Sequence, residues 1–193
     1  GAFTASLLLL LLTCCLYTGG NWFFVASVPV LFGLSVCFLP YVLHCLPLKG
    51  GLARQKGLLS MAADTLLLYG VIVVSGIYAN PAGYWEPALQ ITTVCVLFVW
   101  LLFALIRYAR INGWLKAGLC TILTGTFLAF LEDIVWAILY GNGHISILQA
   151  NLMEWNSTPV INANVYLLVW IGSALIGVGL MLYGVLPGRK HRR

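Results

Sequence analysis

Phe127-Leu-Ala-Phe-Leu-Glu132-Asp133-Ile-Val-Trp136 sets two adjacent carboxylates inside an apolar run, Ala117 to Tyr140, that is long enough to cross a bilayer. A helical crossing of the hydrocarbon takes about 20 residues at 1.5 Å each. The run is continuous and does not alternate with period two, which argues for a helix and against a barrel strand. An ionisable side chain in hydrocarbon is costly unless neutralised, hydrated or paired, so the two acids are the first candidates for a functional site.

Outward from this run, comparable apolar stretches recur along the whole chain. Of its 193 residues 62% are hydrophobic and 8% charged, where a soluble protein carries about a quarter charged. The sequence therefore reads as an all-α integral membrane protein. Six transmembrane helices are expected at about 1–17, 22–46, 58–78, 88–106, 117–140 and 163–186, in a single transmembrane domain spanning 1–193. Tyr17-Thr-Gly-Gly-Asn21-Trp22, Asn80-Pro-Ala-Gly-Tyr84-Trp85 and Tyr140-Gly-Asn-Gly143 are turns without Lys or Arg, each with an aromatic anchor of the kind that favours a membrane interface. They group the helices as three hairpins. Pro29 and Pro40 each remove a backbone hydrogen bond from the second helix and favour a bend.

All ten Lys and Arg fall within 49–56, 107–116 and 189–193. By the positive-inside rule those segments and both chain ends are cytoplasmic. The formal net charge of +5 then describes a rim facing anionic lipid, which makes the bilayer the first partner.

Glu132 and Asp133 are one step apart on a helix and project about 100° from each other. Glu132 shares a face with Gly118, Gly125, Leu128, Ala129 and Trp136; Asp133 shares one with Thr126, Ala129, Trp136 and Tyr140. The small residues on these faces suggest close helix contact, so the pair is expected to look into the bundle. Thr92 and Thr93 lie at a similar depth on the fourth crossing. With Thr13, Ser27, Ser75, Gln90 and Asn164 they would form a polar layer open to the outer side. The candidate ligand or ion site is Glu132, Asp133, Thr92, Thr93 and Trp136, taking a small ligand or a proton. The plainer reading is a buried neutral carboxyl, hydrogen-bonded across helices. Asp64, roughly 9 Å into the third crossing from its inner end at 1.5 Å per residue, is placed to reach inner-loop cations and is remote from Glu132.

Enzyme templates are absent: no Gly-x-Ser-x-Gly elbow, His-Glu-x-x-His pair or phosphate-cradling loop occurs. The six cysteines have no CxxC or Cys/His metal spacing. No catalytic residue, cofactor or metal is therefore expected, and the chain reads as a non-enzyme. His44 and His144 belong to opposite membrane sides. The polar 141–162 segment has an Ile145 to Met153 core expected to form a short surface helix, and Asn156-Ser-Thr158 matches a glycosylation acceptor.

Two stretches, Gly20-Asn-Trp-Phe-Phe-Val-Ala-Ser-Val-Pro-Val-Leu-Phe-Gly-Leu-Ser-Val-Cys-Phe-Leu-Pro40 and Arg107-Tyr-Ala-Arg-Ile-Asn-Gly-Trp-Leu-Lys-Ala-Gly118, resemble the membrane-embedded C-terminal region of helix-turn-helix transcriptional regulators from Gram-positive gut bacteria. The resemblance implies a cytoplasmic DNA-binding domain ahead of Gly1, with nucleic acid contacted only through it, and it brings no site residue with it. The absence of an initiating Met agrees with that expectation. The leading function is a membrane sensor or anchor domain of a signal-transducing, regulatory protein in the bacterial cytoplasmic membrane. The alternatives are a small transporter or channel using the intramembrane carboxylates, and a structural membrane subunit. Homo-oligomerisation is left open.

Overall fold

A computed structural model describes residues 2–47, 50–51, 55–79 and 83–186. It is helical, with no strand among the described residues. The helices are α1 (Ala2–Thr18), α2 (Phe23–Cys45), α3 (Lys56–Ala79), α4 (Trp85–Tyr108), α5 (Gly113–Tyr140) and α6 (Thr158–Val185), and a 3-10 turn occupies Ser146–Gln149. The last five helices are long and apolar enough to cross a membrane, as expected of a multi-pass membrane protein. At 17 residues, α1 is the short apolar member.

The chain divides into two compact units, Gly1–Thr92 and Thr93–Arg193. In the first, α2 packs chiefly on α3 and more lightly on α1. Pro29 and Pro40 both lie inside α2, which is assigned as one helix through them. The Ser35 hydroxyl of α2 donates to Asp64 Oδ1 of α3 at 2.6 Å, so this acid meets a neighbouring helix; Lys49 and Arg54 of the inner loop lie outside the described residues. Tyr84 and Trp85 fold back over Gly76, where a Cβ would come within 2.6 Å of the Tyr84 ring, and the Tyr84 hydroxyl donates to the Ile72 carbonyl at 3.3 Å.

In the second unit α5 packs on α6 more extensively than any other pair of elements. The reason is the small-residue stripe. A Cβ on Gly118 would stand 2.5 Å from the Gly177 carbonyl oxygen, and one on Gly125 would overlap Ser173. Ala129 is fully buried on the same face. Backbones that close exchange dispersion contacts that larger residues would forbid, which is how helices associate in a solvent as apolar as themselves. Trp170 Nε1 donates to Thr126 Oγ1 at 3.3 Å, and Phe98 of α4 stacks on Phe127 with ring centres 3.9 Å apart.

Several helices start earlier than their apolar runs suggest. Asn112 caps α5, its side chain accepting from Trp114 N at 3.3 Å, while its amide donates to the Gly184 carbonyl at 2.9 Å. Pro159 sits in the first turn of α6, where a missing N–H costs nothing. Two lysines close helix ends of the preceding element. Lys56 donates to the carbonyls of His44 and Leu46 at 3.1 and 2.9 Å, and Lys116 to that of Ile106 at 2.9 Å. Each supplies a cation to carbonyls that the helix itself leaves unpaired.

Candidate functional site

The site is built where α5 ends and the chain returns to α6. Gly141 terminates α5 in the left-handed conformation (φ 69°), its N–H bonded to the Ala137 carbonyl. Past that reversal the chain runs back down the helix it has just left. Ser146 N donates to Asp133 Oδ1 at 2.8 Å and Ser146 Oγ donates to the same oxygen at 2.6 Å. Asp133 is seven residues before Tyr140, so the loop descends on the order of 10 Å at 1.5 Å per residue.

The carboxylate supplies what the returning backbone lacks. Ser146 opens the 3-10 turn, so its N–H has no partner within the turn. His144 adds a third contact, with Nδ1 3.6 Å from Asp133 Oδ1 and 3.2 Å from Ser146 Oγ. Its other ring nitrogen is 3.1 Å from Gln149 Nε2. Asp133 is 9% and Ser146 5% exposed, so this bond is buried beneath the loop, while the His144 ring stays partly open to the surface.

A second peg enters from α6. Asn164, wholly buried, donates through Nδ2 to the carbonyls of Asn151 and Glu154, both at 2.9 Å. Together Asp133 and Asn164 hold both halves of the loop. This explains why the expected surface helix over 145–153 is reduced to the four residues Ser146–Gln149: its backbone groups are claimed by side chains from the flanking helices. Ile145, Leu148, Leu152, Met153 and Trp155 remain exposed on the loop, an apolar surface suited to a bilayer interface.

Glu132 goes elsewhere. It lies in a groove of about 610 Å³ between α5 and α6, with Leu128, Trp136, Tyr140, Tyr166 and Val169 among its walls. Tyr166 of α6 faces the Glu132 carboxyl. Oε2 of Glu132 is sealed from solvent and has no hydrogen-bond partner among the described residues, and the same is true of Asp133 Oδ2 and Asn164 Oδ1. The two adjacent acids therefore serve two separate places, as their 100° divergence requires.

Comparison with protein families, curated proteins and solved structures found no match to this chain. Its chemistry has to be read from the geometry alone.

Asp, His and Ser here do not form a nucleophilic relay. In such a relay the imidazole stands between the acid and the hydroxyl and takes the hydroxyl proton. Here the Ser146 proton points at Asp133 itself, and the hydroxyl is buried under its own loop. The arrangement does the work of a clamp. No three His, Cys, Asp or Glu side chains converge as metal ligands among the described residues.

Of the other residues expected at the site, Trp136 borders the groove and stacks on Tyr140 at 4.2 Å, with the His144 ring 6.0 Å away. It touches both halves of the site. Thr92 and Thr93 are half-buried on α4 and fall on either side of the division between the two units. The wider polar layer is satisfied locally: Thr13 bonds to Leu9 O, Ser27 to Phe24 O, Gln90 to Glu86, and Asn164 to the loop. His144, Ser146, Gln149 and Tyr166 were not singled out from sequence. A histidine four residues beyond the end of a helix that carries an intramembrane acid, with two glycines between, is the signal that could have pointed to the first of them.

Proposed function

We propose that the chain is the membrane-embedded sensor or anchor region of a signal-transducing protein of the bacterial cytoplasmic membrane, with six crossings, both ends cytoplasmic and the 141–157 loop on the outer side. The observation that carries this reading is the clamp of Asp133 on Ser146 and His144, a polar latch between an outer loop and a crossing helix. A loop so held has a defined closed state, and a stimulus that binds the released loop differently would shift its population. The tight α5–α6 contact would carry that shift inward as a rigid pair. No enzymatic step is included, and the buried, acid-bound serine supports leaving one out.

The resemblance of Gly20–Pro40 and Arg107–Gly118 to membrane-bound helix-turn-helix regulators supports transcription as the output, with DNA contacted only by a cytoplasmic domain joined to the N-terminal side. The test is made on the full reading frame in its own host. Asp133→Asn should change the regulated output at unchanged protein level; an unchanged output, or a frame that encodes no regulatory domain, removes the reading.

One observation favours a second reading. Glu132, which lines an open groove and has a buried, unpartnered Oε2, suits the ion site of a small transporter. Flux in liposomes that disappears in Glu132→Gln would favour it over the sensor.

A further inference from the structure

We propose that the α5–α6 groove binds an organic cation with an apolar, ring-bearing body, its charge set against Glu132 and its body against Trp136, Tyr140, Leu128 and Val169. The inference rests on the sensor reading above and names the class of ligand that the sensor would take.

The groove measures about 610 Å³, within the range of roughly 300–1,000 Å³ typical of small-molecule sites. Its walls are aliphatic and aromatic, and Glu132 is the charged residue among them. Tyr166 faces the carboxyl, and Oε2 is buried with no hydrogen-bond partner among the described residues. A carboxylate so placed lacks a counter-charge, and its cost falls when a cation enters. Three aromatic residues, Trp136, Tyr140 and Tyr166, line the same groove. Aromatic faces attract organic cations most strongly where water is excluded.

The other occupants fit less well. A lipid acyl chain would fill the walls and leave Glu132 uncompensated. A bare metal ion would need several oxygen ligands, and a single carboxylate among apolar side chains cannot replace its hydration shell. An apolar cation is only weakly hydrated, partitions into the bilayer and enters an open groove from the lipid side.

Tetraphenylphosphonium binding to the purified full chain in detergent, measured by equilibrium dialysis against protein-free micelles, tests this directly. Saturable binding is expected, with the shape-matched anion tetraphenylborate excluded and affinity at least about ten-fold weaker in Glu132→Gln, since truncating one partner of a desolvated charge contact costs that much or more. Val169→Trp fills the groove from α6 without touching the carboxyl and should also abolish binding, which keeps the test decisive if Glu132→Gln fails to fold. Equal binding of the anion would mark a plain lipid groove and overturn the proposal, as would wild-type affinity in both variants. If binding fails while Asp133→Asn still alters the regulated output, the ligand class falls and the sensor reading stands. If binding holds and the output never changes, the site stands and the sensor reading falls.

Discussion

Ser146 and Asp133 are joined twice through one atom: the backbone N–H and the hydroxyl of Ser146 both donate to Asp133 Oδ1, at 2.8 and 2.6 Å. The contact joins residues thirteen apart in sequence and closes the chain that follows Tyr140 back onto the helix that begins it. Asp133→Ala leaves the Ser146 N–H buried without an acceptor and the hydroxyl with His144 Nδ1 alone at 3.2 Å, and a buried unsatisfied group costs about 1–3 kcal/mol. Asp133→Asn keeps an acceptor of the same shape but loses the charge assistance that roughly doubles such bonds, so it should cost less than alanine. Thermal unfolding in detergent should rank wild type above Asn above Ala. Amide exchange at Ser146 should accelerate in the same order, and unchanged protection in the alanine variant would refute the clamp.

Asn164 distinguishes donor from shape. Its amide donates to the carbonyls of Asn151 and Glu154. Alanine removes two bonds worth about 1 kcal/mol each. Aspartate has the same size but turns an acceptor toward two carbonyl oxygens, so it should be worse than alanine. Limited proteolysis within 141–157 reads this out, with cleavage fastest in Asn164→Asp. Equal rates in the two variants would mean that the side chain merely fills space.

Much of this architecture was legible in the residues. Apolar runs gave the helices, and Gly118, Gly125 and Ala129 marked the face of α5 that meets α6. The divergence of Glu132 and Asp133 also follows from helical geometry alone. The partners of the acids were not legible. Asp133 meets Ser146 because Gly141 reverses the chain and the loop falls back along α5, a contact that no periodicity encodes. Local bonding was not legible either: Thr and Ser in apolar helices can bond to carbonyls of their own preceding turn, as Thr13 does with Leu9. Helix starts were set by Asn112 and Pro159, cap and first-turn residues outside the hydrophobic stretches.

The α5–α6 contact predicts an asymmetry between two glycines. At Gly125 an added Cβ overlaps the Ser173 side chain, whereas at Gly118 it meets the Gly177 carbonyl oxygen at 2.5 Å. Overpacking of this kind costs about 1–3 kcal/mol. Gly125→Ala should be rescued by Ser173→Gly, because the obstacle is a removable side chain. Gly118→Ala has no such remedy, since its obstacle is backbone. Melting temperatures of the two single variants and the Gly125→Ala/Ser173→Gly double variant check this, and failure of the rescue would place the tight contact elsewhere on the helices.

Ser35 and Asp64 give the corresponding test in the first unit. Their bond joins α2 to α3 at 2.6 Å, short for a hydroxyl and in the range of a charge-assisted contact. Hydrogen bonds between membrane helices average about 0.6 kcal/mol in double-mutant cycles and reach about 1.7, because each partner finds another in the unfolded state. The short distance puts this pair toward the upper end. A cycle of Ser35→Ala and Asp64→Ala, followed by unfolding in mixed micelles, should therefore give a coupling of ~1.5 kcal/mol. A coupling indistinguishable from zero would mean that Asp64 exchanges Ser35 for another partner at no cost, and that α2 and α3 are held together by packing alone.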